Sequence, residues 1–470
     1  MNISLNKGKI TLEQITATIF FLGVFFIPFS SFEGVSFLGE YKKEACFFFF
    51  IAAFLLLSIT FLFTQKVKIP YKNPLFIVLV IIVIWFFIAT LINIPNIKNY
   101  YFKHTSGYNR FIRQYAVLIM SSIVLLITYY NITSRYSNEA IFYKIRRVFF
   151  YSLGIVSAYG FIEIAIIKFN IGALNPVLEI FNFFPFTEVH LDPWGERISS
   201  VTFEPPALAT FLLTISGWMF SYILTSKGVK RFIPSILVLV LALFSGSRAG
   251  LVIIVVQVLV FSIALIKKRK YHQLLIKLIG GVTVIVLLIG VVKGPEIAEY
   301  LSEKIQSFGV NDSNHAVSNK SRFGIQYALY QVFLDNPVSG VGYGQQAYEM
   351  IKNLPPWSTH NNWEFKIKYL NPDHPSFPPG YNLFVRILAE SGIIGFLLFT
   401  GWLLFILYTC FSLFIKNNQN SIFALVLFIS MVGFVMNWMK MDTIRVFGFW
   451  INFALLLTLT RETKFKIAKK

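Results

Sequence analysis

Leu75–Ile94 reads LFIVLVIIVIWFFIATLINI, twenty residues without a charge. Wound as an α-helix at about 1.5 Å per residue, the run is about 30 Å long, the thickness of the hydrocarbon core of a bilayer. A surface helix of a soluble domain carries polar residues along one face, and this run has no such face. It is therefore a membrane-spanning helix.

Outward from it, apolar runs recur along the 470 residues, at about 12–31, 45–64, 75–94, 115–131, 148–168, 206–225, 232–246, 249–266, 274–292, 391–415, 421–438 and 444–460. The fold class expected is all-α: a polytopic integral membrane protein with about twelve transmembrane helices. The pair 232–246 and 249–266 also reads as one broken hairpin. Composition agrees, with 56% hydrophobic and only 14% charged residues, 52 phenylalanines and a mean hydropathy of +0.65. A soluble domain carries about 25% charged residues. A soluble enzyme, a disordered chain and a fibrous protein are excluded. Cys46 and Cys410, both in apolar runs, build neither a disulfide framework nor a zinc site. The first apolar run reads as the first span rather than a cleavable signal.

The net charge of +20 comes from 42 Lys+Arg against 22 Asp+Glu. No basic stretch is long enough to track a nucleic-acid backbone, so no nucleic-acid partner is expected. The excess follows the positive-inside bias of membrane loops. Lys7 and Lys9, then Lys66, Lys68 and Lys72, then Arg135, Lys144, Arg146 and Arg147, then Lys227, Lys230 and Arg231, then Lys267 to Lys270, and finally Lys464 to Lys470 all fall on one side. Acidic or mixed loops take the other, with Lys98, Lys103, Arg110 and Arg113 as the basic exception. Both termini are then cytoplasmic.

The organisation expected is a first bundle of nine spans over 1–292, including an outer loop at 169–205, a large extracytoplasmic loop at 293–390, and the last three spans with a cytoplasmic tail over 391–470. A loop of nearly 100 residues is far longer than a connection requires. Within it, helices are expected at 296–308 and at 321–334, the second capped by Ser321 and ended by Asn336-Pro337 and Gly340.

The outer segments hold polar residues that chemistry could use. Arg197 and Glu204 lie in GERISSVTFEPPALA, with Glu204 at the mouth of a span. Arg248 lies in FSGSRAGLV, a Gly/Ser turn between apolar runs, where a charge costs about 3 kcal/mol unless paired or watered. Arg322, just after Ser321, would sit at a helix N-terminus, a good place for an anion. Arg386 and Glu390 lie four apart on one helix face. Trp194, Trp357, Trp363, Tyr343 and Tyr381 belong to an interfacial belt or stack on sugars, and Asn382 stands next to Tyr381. His360 and His374 are the histidines of the late outer loop. Structural readings stand beside these: a snorkelling Arg248, a structural Arg386–Glu390 pair, an Arg197–Glu204 pair, a solvated Arg322. Glu163 is the clearest charge within a span.

Four pieces in order resemble the O-antigen polymerase/ligase family (Wzy and WaaL type) of bacterial membrane glycosyltransferases. They are RISSVTFEPPALATFLL, FSGSRAGLV, SRFGIQYALYQVFLDNPVSGVGYG and YNLFVRILAESGIIGFLLF. The match covers about 195–400. Many ligases carry a His-x-His-Asn-like group before the last piece. Here Pro378 to Tyr381 precede Asn382 and the nearest histidine is His374, so HPSFPPGYNLFVRILAESG looks more like polymerase sequences.

The resemblance implies a GT-C-like membrane fold in the inner membrane. It also implies transfer of a glycan from undecaprenyl pyrophosphate to the terminal sugar of another lipid-linked unit, by inversion and without metal or other cofactor. A leaving pyrophosphate gathers negative charge, and fixed arginines are the natural counter-charges. Arg197, Arg248 and Arg322 are the expected catalytic cations, with Arg386 fourth, and Glu204 or His374 is the expected general base. Arg386, Glu390, Tyr343, Tyr381 and Asn382 are the expected substrate contacts. A chain-length regulator is a possible partner. A ligase acting on lipid A-core is the alternative, and a transporter of the lipid-linked unit a second, disfavoured by the long outer loop.

Overall fold

The computed structural model describes residues 11–191, 196–273, 276, 316–416 and 419–462. The expected span at 274–292, the expected helix at 296–308 and Trp194 lie outside the described residues.

Among the described residues the fold is all-α apart from one ribbon of two short antiparallel strands, β1 (Tyr101–Phe102) and β2 (Thr105–Ser106). Seven helices are long and apolar enough to cross a membrane: α2 (Ala45–Thr64), α3 (Pro74–Ile92), α4 (Gly107–Thr133), α5 (Asn138–Phe169), α6 (Pro205–Thr225), α8 (Arg248–Ile266) and α10 (Leu383–Lys416). Three shorter apolar helices join them: α1 (Leu12–Phe25), α11 (Ser421–Asn437) and α12 (Phe447–Glu462). Their outward faces carry large apolar side chains such as Leu62, Phe63, Leu397 and Leu404 in the open, which a lipid surround makes tolerable. The chain is a multi-pass membrane protein.

α7 (Ile233–Phe244) has 12 residues, about 18 Å of helix, too short to cross alone. It and α8 form the broken hairpin that the sequence allows.

Polar side chains set the helix starts. Thr11 and Gln14 form a reciprocal capping box at α1. Asn73, Ser106, Ser137 and Ser247 each accept a first-turn N–H of α3, α4, α5 and α8. The helix expected at 321–334 is longer, Ala316–Asp335 (α9). Ser321 lies inside it, buried, and its hydroxyl donates to the Val317 carbonyl at 3.1 Å, so it is not the cap. Arg322 therefore sits in mid-helix, not at a helix N-terminus.

Two buried arrangements hold the connecting segments on the helix ends. Glu163 of α5 accepts the N–H groups of Ser199 (3.0 Å) and Ser200 (2.8 Å), so this in-span charge anchors the segment that leads from Arg197 to Glu204. α10 breaks at Gly392, whose φ of +65° only glycine adopts freely. The exposed carbonyls at the break are taken up by the SGVGYG segment: Val341 N–H donates to Ala389 at 3.0 Å and Gly342 N–H to Glu390 at 2.9 Å. The Trp85 indole donates to Ser391 at 3.0 Å. Backbone freed within an apolar surround must be paired in this way. A Cβ on Gly340, which has a φ of +63°, would run into the α10 backbone, so this segment can close on the break only as glycine.

The segment that departs from the loop-charge pattern also resolves. α4 begins at Gly107, so Arg110 and Arg113 are helical. Arg110 is buried, its Nε donating to the Gly344 carbonyl at 2.6 Å and its guanidinium lying 3.8 Å from the Phe377 ring centre.

Candidate active site

The FSGSRAG turn links α7 to α8, carries Arg248 and meets Arg197. Gly246, at φ +61°, faces the Arg197 stem: a Cβ there would come within 2.5 Å of Arg197 Cγ. Ile198 N–H donates to the Phe244 carbonyl at 3.2 Å, fixing the Arg197 segment on the end of α7. Ser247 caps α8, so Arg248 is its first residue. A Cβ on Gly250 would clash with the Ala209 side chain, which shows how closely α8 meets the start of α6. Glu204 precedes that start, followed by Pro205 at the first helical position.

These placements gather residues remote in sequence. Arg248 feels the charges of Arg322 and Arg197. Glu204 feels those of Lys368, Lys440, Arg197 and Arg322. Burial pushes the Glu204 carboxyl up, and the four cations oppose that rise. Among the described residues Arg197 and Glu204 are not in ion-pair contact, so the simple pair that the sequence allowed is absent. The guanidinium of Arg322 lies 5.4 Å from the centre of the Tyr381 ring. The Tyr381 hydroxyl bonds to that of Tyr369, which closes the π-helical turn Glu364–Tyr369. Burial raises both phenols, so both stay neutral hydrogen-bonding groups. Cations crowded on one carboxylate, beside neutral hydroxyls, suit an anionic leaving group next to a sugar.

The other expected residues lie elsewhere. Arg386 and Glu390 form a buried pair at 3.0 Å. Arg386 also donates to the Asp442 carbonyl (2.9 Å) and to Gln114 Oε1 (3.2 Å). Tyr343 is buried beside them, stacked on Phe86 with ring centres 5.1 Å apart. These three brace α10 against its neighbours. Asn382 Oδ1 accepts the N–H groups of Phe384 and Val385, capping α10, and its Nδ2 reaches Gln326 of α9 at 3.2 Å. His374 Nδ1 accepts the Ser376 N–H at 3.2 Å, and the structure gives it no contact with the arginine group.

Sequence reading missed Lys440, Lys368 and Asp442, and took Lys103 only as a loop charge. Lys440 and Arg445 had a signal: two cations in a short connection whose side should be poor in them. Lys368 had none, since it is one of two lysines in EFKIKYLNP and its neighbour is 164 positions away.

Residues 233–400 match the family model Wzy_C, described as O-antigen ligase. That domain is common to polymerases and ligases, whose members are membrane enzymes of glycosyl transfer from lipid-linked polysaccharide. No curated protein matches the chain.

Proposed function

From a chain that carries this domain over residues 233–400, we propose that the protein is a surface-polysaccharide polymerase of the O-antigen kind. It joins undecaprenyl-pyrophosphate-linked repeat units at the outer face of the bacterial inner membrane, as a twelve-span GT-C-like glycosyltransferase with both termini cytoplasmic. The first bundle (1–292) and the last three spans (391–470) then frame an outer loop (293–390) that covers the site. The observation that supports this reading is that Arg197 and Arg322 act on both Glu204 and Arg248.

The acceptor hydroxyl attacks the anomeric carbon on the face opposite the diphosphate. The new C–O bond forms as the bond to the diphosphate breaks, and the electron pair leaves with undecaprenyl pyrophosphate. The three arginines stabilise that growing charge, and arginine stays protonated throughout. The hydroxyl proton passes to Glu204. Glu204 is preferred to His374 as base because it lies among the cations, whereas His374 Nδ1 is already occupied by Ser376. Tyr381 orients the sugar beside Arg322. A chain-length regulator would act from outside this site.

The second reading is a ligase, favoured by the description of the matched domain. A deletion strain analysed by surface-polysaccharide gel separates the two. A single repeat unit on the lipid core identifies the polymerase. Loss of all attachment, with long lipid-linked chains accumulating, identifies the ligase. Accumulation of unflipped precursor alone would overturn both.

A further inference from the structure

Lys440 stands in the connection between α11 and α12, on a turn held from several sides. Its own N–H donates to the Asn437 carbonyl at 3.0 Å, and that of Met441 to the same oxygen at 3.2 Å. The N–H of Leu383, first residue of α10, donates to the carbonyls of Trp438 (2.8 Å) and Met441 (3.1 Å). The turn is thus bound to the helix that follows Tyr381. The Trp438 ring is fully buried, and its indole donates to the Thr443 carbonyl at 2.9 Å.

From this anchored turn the Lys440 ammonium is shut off from solvent and has no hydrogen-bond acceptor among the described residues. The charged groups facing it are Glu204, at the start of α6, and Arg322, on α9. Neither arrangement is that of a structural lysine. Lys103 shows what such a lysine looks like here, with three carbonyl oxygens around it. A buried ammonium without acceptors is costly, and a fold retains one where a ligand supplies them. Asp442, two residues on, is committed to Arg386 and to the Gly380 N–H, so it does not serve Lys440.

We propose that Lys440 is a direct ligand of the donor's diphosphate, a further cation beside Glu204 and Arg322. The proposal rests on the reading of the substrate as a lipid-linked diphosphate. It assigns lysine a task that the arginines cannot share: its charge responds to occupancy. Burial brings the ammonium down to about 8, with Glu204 opposing and Arg322 adding to the fall. An arriving dianion restores the charged form, and departure of the product releases it again.

The test is binding of undecaprenyl pyrophosphate to the full chain in nanodiscs, for wild type, Lys440→Met and Lys440→Arg, across pH 7 to 9. Lys440→Met should weaken binding roughly 10- to 100-fold, the range for losing charge-assisted hydrogen bonds. Wild-type binding should weaken as pH passes about 8, and Lys440→Arg should bind as tightly without that decline. If Lys440→Met does not fold, the contrast between wild type and Lys440→Arg decides alone. Unchanged binding by Lys440→Met, or parallel pH profiles for wild type and Lys440→Arg, overturns the proposal and leaves the polymerase reading standing. Failure of wild type to bind undecaprenyl pyrophosphate removes the substrate reading and this inference together.

Discussion

The ammonium of Lys103 donates to the main-chain oxygen of Lys368 at 2.6 Å. The same nitrogen reaches the carbonyls of His374 (3.0 Å) and Ser376 (2.8 Å). Lys103 lies in the turn between β1 and β2 at φ +49°, and burial holds its ammonium below the usual lysine value. One side chain from the connection before α4 thus fastens the 368–376 segment, which carries Lys368 toward Glu204. A lysine that looks misplaced by the loop-charge rule is a fastener.

Lys103→Met should therefore free the 368–376 segment without unfolding the bundle. Three carbonyls lose a charged donor, and each left without a partner costs about 1–3 kcal/mol. Limited proteolysis of purified protein should cut within 364–380 at least ten times faster than in wild type, by about the same free energy read as a ratio. Transfer activity should fall in parallel while the membrane-inserted amount stays constant. An unchanged proteolysis rate would show that other contacts hold the loop.

Gly246→Ala tests whether the FSGSRAG turn positions Arg197. A φ of +61° costs an L-residue about 1–2 kcal/mol. The added carbon would also collide with Arg197 Cγ and Cδ, so the guanidinium must move. Displacement of a charge by about 1 Å at a reacting centre costs about 100-fold in rate. Activity should fall by about that factor with the protein still inserted. Gly154→Ala is the control, since nothing lies within 4 Å of a Cβ there and α5 is helical throughout. Equal activities for the two variants would dismiss the positioning role.

How much of this was legible in the sequence depends on the range of the interaction. Spans are written locally, so runs such as 75–94 and 206–225 give their helices within a few residues. The start of α9 was missed because AVSNK has no apolar period, yet Ser321 back-bonds within the helix instead of capping it. Arg197, Arg248 and Glu204 were legible as charges beside span ends, where few charges are tolerated, and Arg322 as a charge on a loop helix. Their meeting was not, since it depends on Gly246, Gly250 and Glu163 setting three separate segments in place. Arg386 and Glu390 were legible as a pair by spacing, but the burial that makes them a brace comes from α4 and the α11–α12 connection.

With Glu204 as the proposed base, its carboxyl should set the pH response of the reaction. Its carboxyl is raised by burial, so the ionised form needed for a base is reached only above the usual carboxylate range. Activity should therefore rise with pH along an acid limb displaced upward from that of an exposed glutamate. The same shift means that the folded chain holds its proton longer than the unfolded one. Its contribution to stability is then fully present below the unfolded pKa and lost as pH rises through the folded one. Glu204→Gln should abolish the acid limb and reduce the rate by about 10²–10⁴, the usual value of a general base. Rate profiles of the reconstituted enzyme between pH 4 and 8 decide it, and a limb that survives in Glu204→Gln belongs to another group.

Arg386 and Glu390 should behave as structure rather than as substrate contacts. Both are buried, and the pair is tied to Gln114 of α4 and to the Asp442 carbonyl. Removing one partner of such a pair leaves an uncompensated charge and costs about 3–5 kcal/mol. Arg386→Met should thus lower the midpoint of thermal unfolding in detergent sharply, and Glu390→Gln less so, because a neutral amide still accepts from Arg386 Nε. The double change Arg386→Met with Glu390→Met should lie closer to wild type than Arg386→Met alone, since it leaves no orphaned carboxylate at this position. In whatever fraction stays folded, the KM for the lipid-linked donor should match wild type. A variant of normal stability with a raised KM would instead return Arg386 to the substrate site, where its sequence first suggested it.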